Sequence, residues 1–437
     1  MMIAHMVLID TIRSREILDS RGEPTLETTV FLSDGTSAHA SVPSGASKST
    51  HEVLELRDKD FGRYAGLGVT RAVRNVNEVI SPRLKKANPL EQEKVDKILL
   101  ELDQTPNKGH LGANAMLSTS LAVAKTAATL TKKELYEHLN ELFIKQKSLD
   151  RYEEEIHLPA EMTNLTLPIP IFNLINGGAH AKNNLNFQEY LVVPGGITKT
   201  AEQIRAGVEI DFALKNILLE QKLIIGVGDE GGFTPTLKDD NDAFDLLTKA
   251  VSAAGYRLRK EIAFGIDIAA NFFYKNGTYH LDLENFRGQA DELISFYQSF
   301  FADYPILIIE DPLHEEDWNG WKKFRQTLSK GVRLVGDDLT STNRKRVLRA
   351  IEEEAINSII IKPNQIGTLT ETLDVAKLAK FSGFTLVAAH RSGETNDTFI
   401  VDLAVGIGAP FLKAGAPIRG ERVAKYNRLM EIAEKIE

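Results

Sequence analysis

The chain contains no cysteine. That excludes zinc–thiolate centres, iron–sulfur clusters, disulfides and thiol catalysis, and it suits a reducing compartment. No run approaches the ~18 uninterrupted apolar residues that a membrane-spanning helix needs. There is no excess of positive charge either. Lys and Arg number 52 against 61 Asp and Glu, for a net charge of −9. A broad basic surface for nucleic acid is therefore not expected. The opening stretch MMIAHMVLIDTIRSREILDSR reaches an acid by Asp10 and does not read as a secretory signal. These absences leave a cytoplasmic enzyme or scaffold, without a membrane span, as the expectation. What is present is ordinary for a globular protein. The 437 residues, 43% hydrophobic and 26% charged, suffice for two or three domains without covalent staples.

Two textures divide the chain. Residues 1–143 predict an α+β unit. Thr25 to Leu32 is β-rich, Ser33-Asp34-Gly35 is a hairpin turn, and Ser37 to Val42 returns. Ala72, Val73, Val76, Val79 and Ile80 fall at helical spacing, as do Val95, Ile98, Leu99 and Leu102. Gly112 to Lys133 reads as one long buried helix. Residues 144–168 are charged and proline-punctuated, and are expected to form a linker or insertion. Residues 169–437 predict a barrel of alternating strands and helices. Short apolar runs recur there, each ending in a polar residue: Asp267, Glu310, Asp337, Lys362, His390 and Lys413. Near-continuous apolar strands separated by helices predict a parallel sheet covered by helices. Repetition of the unit favours a closed barrel over an open sheet.

In such a barrel the active site lies at the C-terminal ends of the strands. Any one polar residue there is ordinarily a solvated strand exit. Six in succession suggest one site. Three carboxylates without Cys or paired His suit a hard divalent cation, with Mg²⁺ the best fit and Mn²⁺ the alternative. A lysine facing such cations would lose its proton more readily and serve as a base. Base and metal together predict proton abstraction beside a carboxylate, with the metal stabilising the resulting negative charge. Glu230 lies in the glycine-rich Gly228-Asp229-Glu230-Gly231-Gly232, and Gln188-Glu189 adds another acid beside an amide. Glu230 is the better candidate for a general acid. Pro43 to His51 reads as a polar lid, and Arg391-Ser392 as a phosphate contact.

The segments Asp19-Ser20-Arg21-Gly22, Ser44-Gly45-Ala46-Ser47, Gly228 to Gly232, Glu310-Asp311-Pro312, Asp337-Asp338-Leu339, Asn364-Gln365-Ile366-Gly367 and His390 to Thr395 resemble those of the enolase family, in family order. The resemblance implies an α+β capping domain followed by an enolase-type β/α (TIM-like) barrel. It implies a hydro-lyase that reversibly dehydrates 2-phosphoglycerate to phosphoenolpyruvate. Asp267, Glu310 and Asp337 match the ligands of a first Mg²⁺. Ser47 matches the lid serine that holds a second Mg²⁺ with substrate. Lys362 matches the general base, Glu230 the general acid and Glu189 its helper. His180, Gln188, His390, Arg391, Ser392 and Lys413 match residues of the substrate pocket. The implied partners are a small phosphorylated acid and a second copy of the chain, as a homodimer or higher homo-oligomer.

The sequence also departs from the family pattern. Lys48-Ser49 stands in the lid for Thr-Gly, Pro363 for valine, Ala389 for serine, Ala414 for threonine, and Asn271 for an acid. A paralogue acting on a different 2-phospho or 2-phosphono acid, and a non-catalytic scaffold, are the alternative readings. The retained Lys362 and Glu230 weigh against the scaffold.

Overall fold

The computed structural model describes residues 6–45, 49–146, 156 and 158–437. Ser47, Lys48 and residues 147–155 of the expected insertion lie outside them. The N-terminal part is a three-stranded antiparallel sheet of β1 (Ile9–Leu18), β2 (Pro24–Leu32) and β3 (Ser37–Ser41). The expected hairpin is present, with Gly35 at φ +90° in its turn. Strand β1 was not among the expected elements. Its register shifts between Ile9 and Thr11, so Ile9 and Ile12 are both buried despite odd spacing. That shift hides the period of two.

The helix Ala113–Thr131 lies across β2 and β3. Its small side chains let the backbones approach, and Thr28 Oγ1 and Ser118 Oγ meet at 2.7 Å. Buried hydroxyls on this helix bond back to carbonyls one turn earlier, as Thr119 does to Ala115 and Thr126 to Ala122.

The C-terminal part closes into a barrel of eight strands. These are β4 (Ile169–Asn176), β5 (Glu189–Val193), β6 (Ala263–Asp267), β7 (Ile306–Glu310), β8 (Arg333–Gly336), β9 (Ser358–Ile361), β10 (Thr385–Ala389) and β11 (Phe411–Lys413). The sheet is parallel as the apolar runs predict except at β5, in the first units of the barrel, which runs antiparallel to both β4 and β6. The link from β4 to β5 is short and holds no crossover helix, so β5 must return in the opposite direction.

Alternation along the strands divides the core. Ile171, Leu191, Ile308, Val335, Ile360, Val387 and Phe411 form one cluster inside the barrel. Their neighbours Phe172, Tyr190, Leu334, Ile359, Leu386 and Leu412 join the larger core outside it. Strand β6 gives the interior only Gly265, where a Cβ would lie 3.2 Å from that of Ile308.

Polar groups dock the N-terminal part onto the barrel. Asp96, fully buried, accepts from Thr370 N at 2.9 Å and Thr370 Oγ1 at 2.6 Å, at the start of the helix Leu369–Phe381. Ser44 and Gly393 exchange backbone hydrogen bonds of 2.7 and 2.9 Å. Asp19-Ser20-Arg21-Gly22 packs against the same chain, with Ser20 Oγ donating to Ser392 O. Among the described residues no helix is long and apolar enough to cross a membrane.

One buried acid generates a stability prediction. Asp211 lies in the helix Thr200–Glu220, with Oδ1 unpartnered, and burial pushes its carboxyl up to about 7, against the pull of Lys215. Between its ordinary value of 3.8 and about 7, the folded chain holds a proton that the unfolded chain has lost. This contribution to stability is present at pH 3.8 and disappears as pH rises through 7. Asp211→Asn should therefore leave stability at pH 4 nearly unchanged and add about 1–3 kcal/mol at pH 8. Urea denaturation at the two pH values measures the difference.

Candidate active site

The strand period of two positions the charged groups. Asp267, Glu310, Asp337, Lys362 and Lys413 each follow by two residues the inward-facing Gly265, Ile308, Val335, Ile360 and Phe411. They therefore continue the inner face at the mouth of the barrel. Glu189 arrives differently. Because β5 is reversed, its first residue lies at that mouth, opposite Asp267. Every expected site residue except Glu310 and Ser47 lines one small cavity, of about 20 Å³, at the barrel mouth. Glu310 reaches the cavity through Lys413, and Ser47 lies outside the described residues.

Lys413 is the hub. Its ammonium lies 3.0 Å from Glu189, 3.0 Å from Asp267 and 2.8 Å from Glu310. Burial alone would lower its pKa, but Asp267, Glu189 and Glu310 outweigh it and hold the group well above its ordinary value. Lys362 bonds Asp337, whose other oxygen accepts from Gln365 at 2.8 Å. The downward shift expected for Lys362 belongs to a site loaded with cations, and without them the balance differs. Burial does push it down, but the charge of Asp337 overcomes that and the lysine stays above its usual range. A cation that engaged Asp337 would remove this pairing.

The carboxylates fit such a cation. Asp267 also accepts from Gln188 at 3.1 Å, and Glu310 Oε1 is buried without a hydrogen-bond partner. Burial and the charge of Asp267 push Glu310 up to about 8. Carboxylate oxygens without sulfur or imidazole suit Mg²⁺. Among the described residues, two groups bring three candidate ligand atoms within 4.8 Å of one another: His180, Glu189 and Glu230, and Asp311, Asp337 and Asp338. They share only Asp337 with the expected triad, whose carboxylates are held by the two lysines. Asp311 is otherwise engaged, accepting from the backbone N–H groups of Asp337 and Asp338.

Glu230 occupies the other side of this chemistry. Its Oε2 accepts from Asn173 at 3.0 Å and lies 3.2 Å from His390 Nε2. His180 Nδ1 stands 3.5 Å from Glu189 and 3.7 Å from Glu230. Burial lowers His180 and takes His390 down to about 3, so both rings are neutral. Burial, then the charge of Glu230, pushes Glu189 well above the carboxylate range. The flanking glycines serve close packing. A Cβ on Gly228 would lie 2.6 Å from His180 O, and Gly231 has φ +93°.

Arg391 donates to Glu52 at 2.9 Å and to Asn364 at 3.3 Å. A Cβ on Gly45 would overlap its guanidinium, so the N-terminal part covers the arginine directly. Sequence reasoning missed Asn173, Gln365, Glu52 and Arg422 as site residues. Asn173 carried a signal, since it follows inward-facing Ile171 by two.

Three of the departures find local reasons. Asn271 donates to Asp338 at 3.0 Å and accepts from Glu315 N at 2.9 Å, where an acid would meet like charge. Pro363 opens the short helix Pro363–Ile366, where its missing N–H costs nothing. Ser49 Oγ donates to Glu315 at 2.5 Å.

The fold is a β/α barrel with acidic and basic side chains gathered at its strand ends. Two family models match the chain. "Enolase, N-terminal domain" covers residues 9–139 and "Enolase, C-terminal TIM barrel domain" covers residues 164–437. The chain belongs to the enolase family.

Lys413→Met would strand three buried carboxylates. Removing one partner of a buried ion pair typically costs 3–5 kcal/mol. We expect a loss of that order by urea denaturation in chelator. Added Mg²⁺ should recover part of it, and should stabilise the variant more than the unmodified protein.

Proposed function

We propose that the protein is a Mg²⁺-dependent phosphopyruvate hydratase, converting 2-phosphoglycerate to phosphoenolpyruvate and water. The observation that carries this reading is the convergence of Lys362, Glu230 and the metal-type carboxylates on one cavity that also holds Arg391 and Ser392. Asp267, Glu310 and Asp337 would hold one Mg²⁺, and Ser47 a second that arrives with substrate. The ions, when bound, polarise the substrate carboxylate and favour negative charge on it.

Lys362 takes the proton from the carbon beside that carboxylate. The C–O bond on the next carbon then breaks, Glu230 gives its proton to the departing hydroxyl, and water leaves as the double bond forms. Glu189 shares the proton with Glu230. Arg391 and Ser392 bind phosphate, Lys413 faces the substrate carboxylate, and His180, Gln188 and His390 shape the pocket. The cavity's cationic and acidic halves support a small anionic substrate rather than a polymer. Residues 1–143 act as the cap, 144–168 as the connection and 169–437 as the catalytic unit, in a cysteine-free chain suited to the cytoplasm.

Absorbance of phosphoenolpyruvate formed from 2-phosphoglycerate with Mg²⁺ tests the reading. Asp337→Ala should abolish both turnover and the calorimetric Mg²⁺ signal. No product from the unmodified protein, with Mg²⁺ still bound, would favour the paralogue with a different substrate.

The chain also acts as a homodimer in this reading. Arg419 donates to Ser20 O at 3.0 Å and Gly228 O at 3.3 Å. Leu18 and Val227, within two residues of those carbonyls, are exposed, as are Ile224 and Ile225. Such an apolar surface supports pairing. Sedimentation should give twice the 48.5 kDa chain mass, and Ile224→Asp should shift the species toward monomer. A single 48.5 kDa species at micromolar concentration would reject the dimer.

A further inference from the structure

Arg422 takes no part in the reading above, yet it is fully buried beside the candidate acid. It comes from the first turn of the C-terminal helix Gly420–Ile436. Its N–H groups reach four acceptors around the cavity wall. Nη1 donates to Arg391 O at 2.7 Å and meets His390 Nδ1 at 2.5 Å. Nη2 donates to Ser392 O at 2.6 Å and Asp229 O at 3.0 Å. One side chain thus ties together the loop carrying Glu230, the loop carrying Arg391 and Ser392, and the imidazole between them.

The contact with His390 has only one chemical solution. A guanidinium has five donors, no acceptor, and does not lose its proton in a protein. The imidazole nitrogen facing it must therefore offer a lone pair. A proton on His390 Nδ1 would point at an N–H of Arg422, which excludes both the Nδ1–H tautomer and the imidazolium. The ring's one remaining N–H is on Nε2. That atom lies 3.2 Å from Glu230 Oε2, off the line of a good hydrogen bond, and has no other partner among the described residues. His390 is buried and lines the cavity.

We propose that Arg422 is the positioning residue that fixes His390 as a neutral donor, with its proton on Nε2, facing Glu230 and the cavity. The inference rests on the proposed role of Glu230 as acid, and it specifies how that acid is oriented. Glu230 Oε2 already accepts from Asn173 at 3.0 Å, and His390 Nε2 lies 3.2 Å from the same oxygen, near enough for its N–H to turn onto it. Here the surrounding groups outweigh burial and hold Glu230 well below its ordinary value; a proton that it takes up would belong on Oε1, the oxygen facing His180. Once Glu230 gives that proton to the departing hydroxyl, its new negative charge is met by donors already in place. The burial that keeps His390 neutral acts in the same direction.

The test reads the tautomer directly. The full-length protein is labelled with ¹⁵N-histidine, and the ring nitrogens are recorded at neutral pH. His390 is assigned by its absence in His390→Asn. The expected spectrum has a proton on Nε2 and none on Nδ1. Arg422→Lys keeps a donor-only group and should preserve that pattern. Arg422→Gln can turn its amide oxygen toward the ring, and should let an Nδ1 proton appear. In kinetics Arg422→Gln should lower kcat by about 10²-fold with KM little changed, and Arg422→Lys should recover most of that loss. A protonated Nδ1 in the unmodified protein overturns the proposal, as does an unchanged tautomer in Arg422→Gln. The spectrum needs no turnover. Failure of 2-phosphoglycerate as substrate would leave the tautomer assignment standing, whereas a wrong tautomer alongside normal turnover would remove only this inference.

Discussion

The site is built around carboxyl groups gathered out of water and held by two lysines. Glu189, Asp267 and Glu310 meet on Lys413, and Asp337 meets Lys362. Moving such ions from water costs several kcal/mol each unless a counter-charge and hydrogen bonds replace the lost solvation. That requirement explains the rest of the mouth. The two histidines beside these acids stay neutral because burial disfavours further charge. Gln188 and Gln365 supply neutral donors to Asp267 and Asp337. In the proposed reading, a divalent cation on Asp267, Glu310 and Asp337 would replace their pairing with Lys413 and Lys362.

The N-terminal part completes the site as well as covering it. Glu52 pairs with Arg391, and Ser44 forms a two-residue ladder with Gly393. Asp19 accepts from Ser44 Oγ at 2.6 Å, and Arg21 donates to the same hydroxyl at 2.9 Å. The segment ahead of residues 46–48 is therefore hydrogen-bonded in place. Beyond them Ser49 and Thr50 both bond Glu315 on the barrel. These flanking segments and the Arg391 loop share hydrogen bonds between the two parts of the chain.

Much of this was legible in the sequence because strands alternate. Ile308 to Glu310, Ile360 to Lys362 and Phe411 to Lys413 each step two residues from barrel interior to mouth, and apolar runs make the interior visible. The long helix Ala113–Thr131 was legible from its alanines. Other features depend on relations that local pattern cannot carry. The reversal of β5 follows from the short link before it, and it alone brings Glu189 to Asp267. The register shift in β1 masks its period. Arg422 lies 32 residues from the histidine it contacts, on a helix whose pattern reads as plain amphipathic surface. Chemistry-bearing residues on the strands could be found from periodicity. Those that orient them from other elements needed the fold.

The central claim is that proton removal and hydroxide departure are assigned to different residues, Lys362 and Glu230, on one cavity. Isotope exchange in heavy water measures the first step alone. With 2-phosphoglycerate and Mg²⁺, NMR should show the proton beside the carboxylate exchanging in Glu230→Gln, even though dehydration is slowed by about 10²–10⁴-fold. The same proton should not exchange in Lys362→Ala. Exchange that survives in Lys362→Ala, or that disappears only in Glu230→Gln, would contradict the assignment.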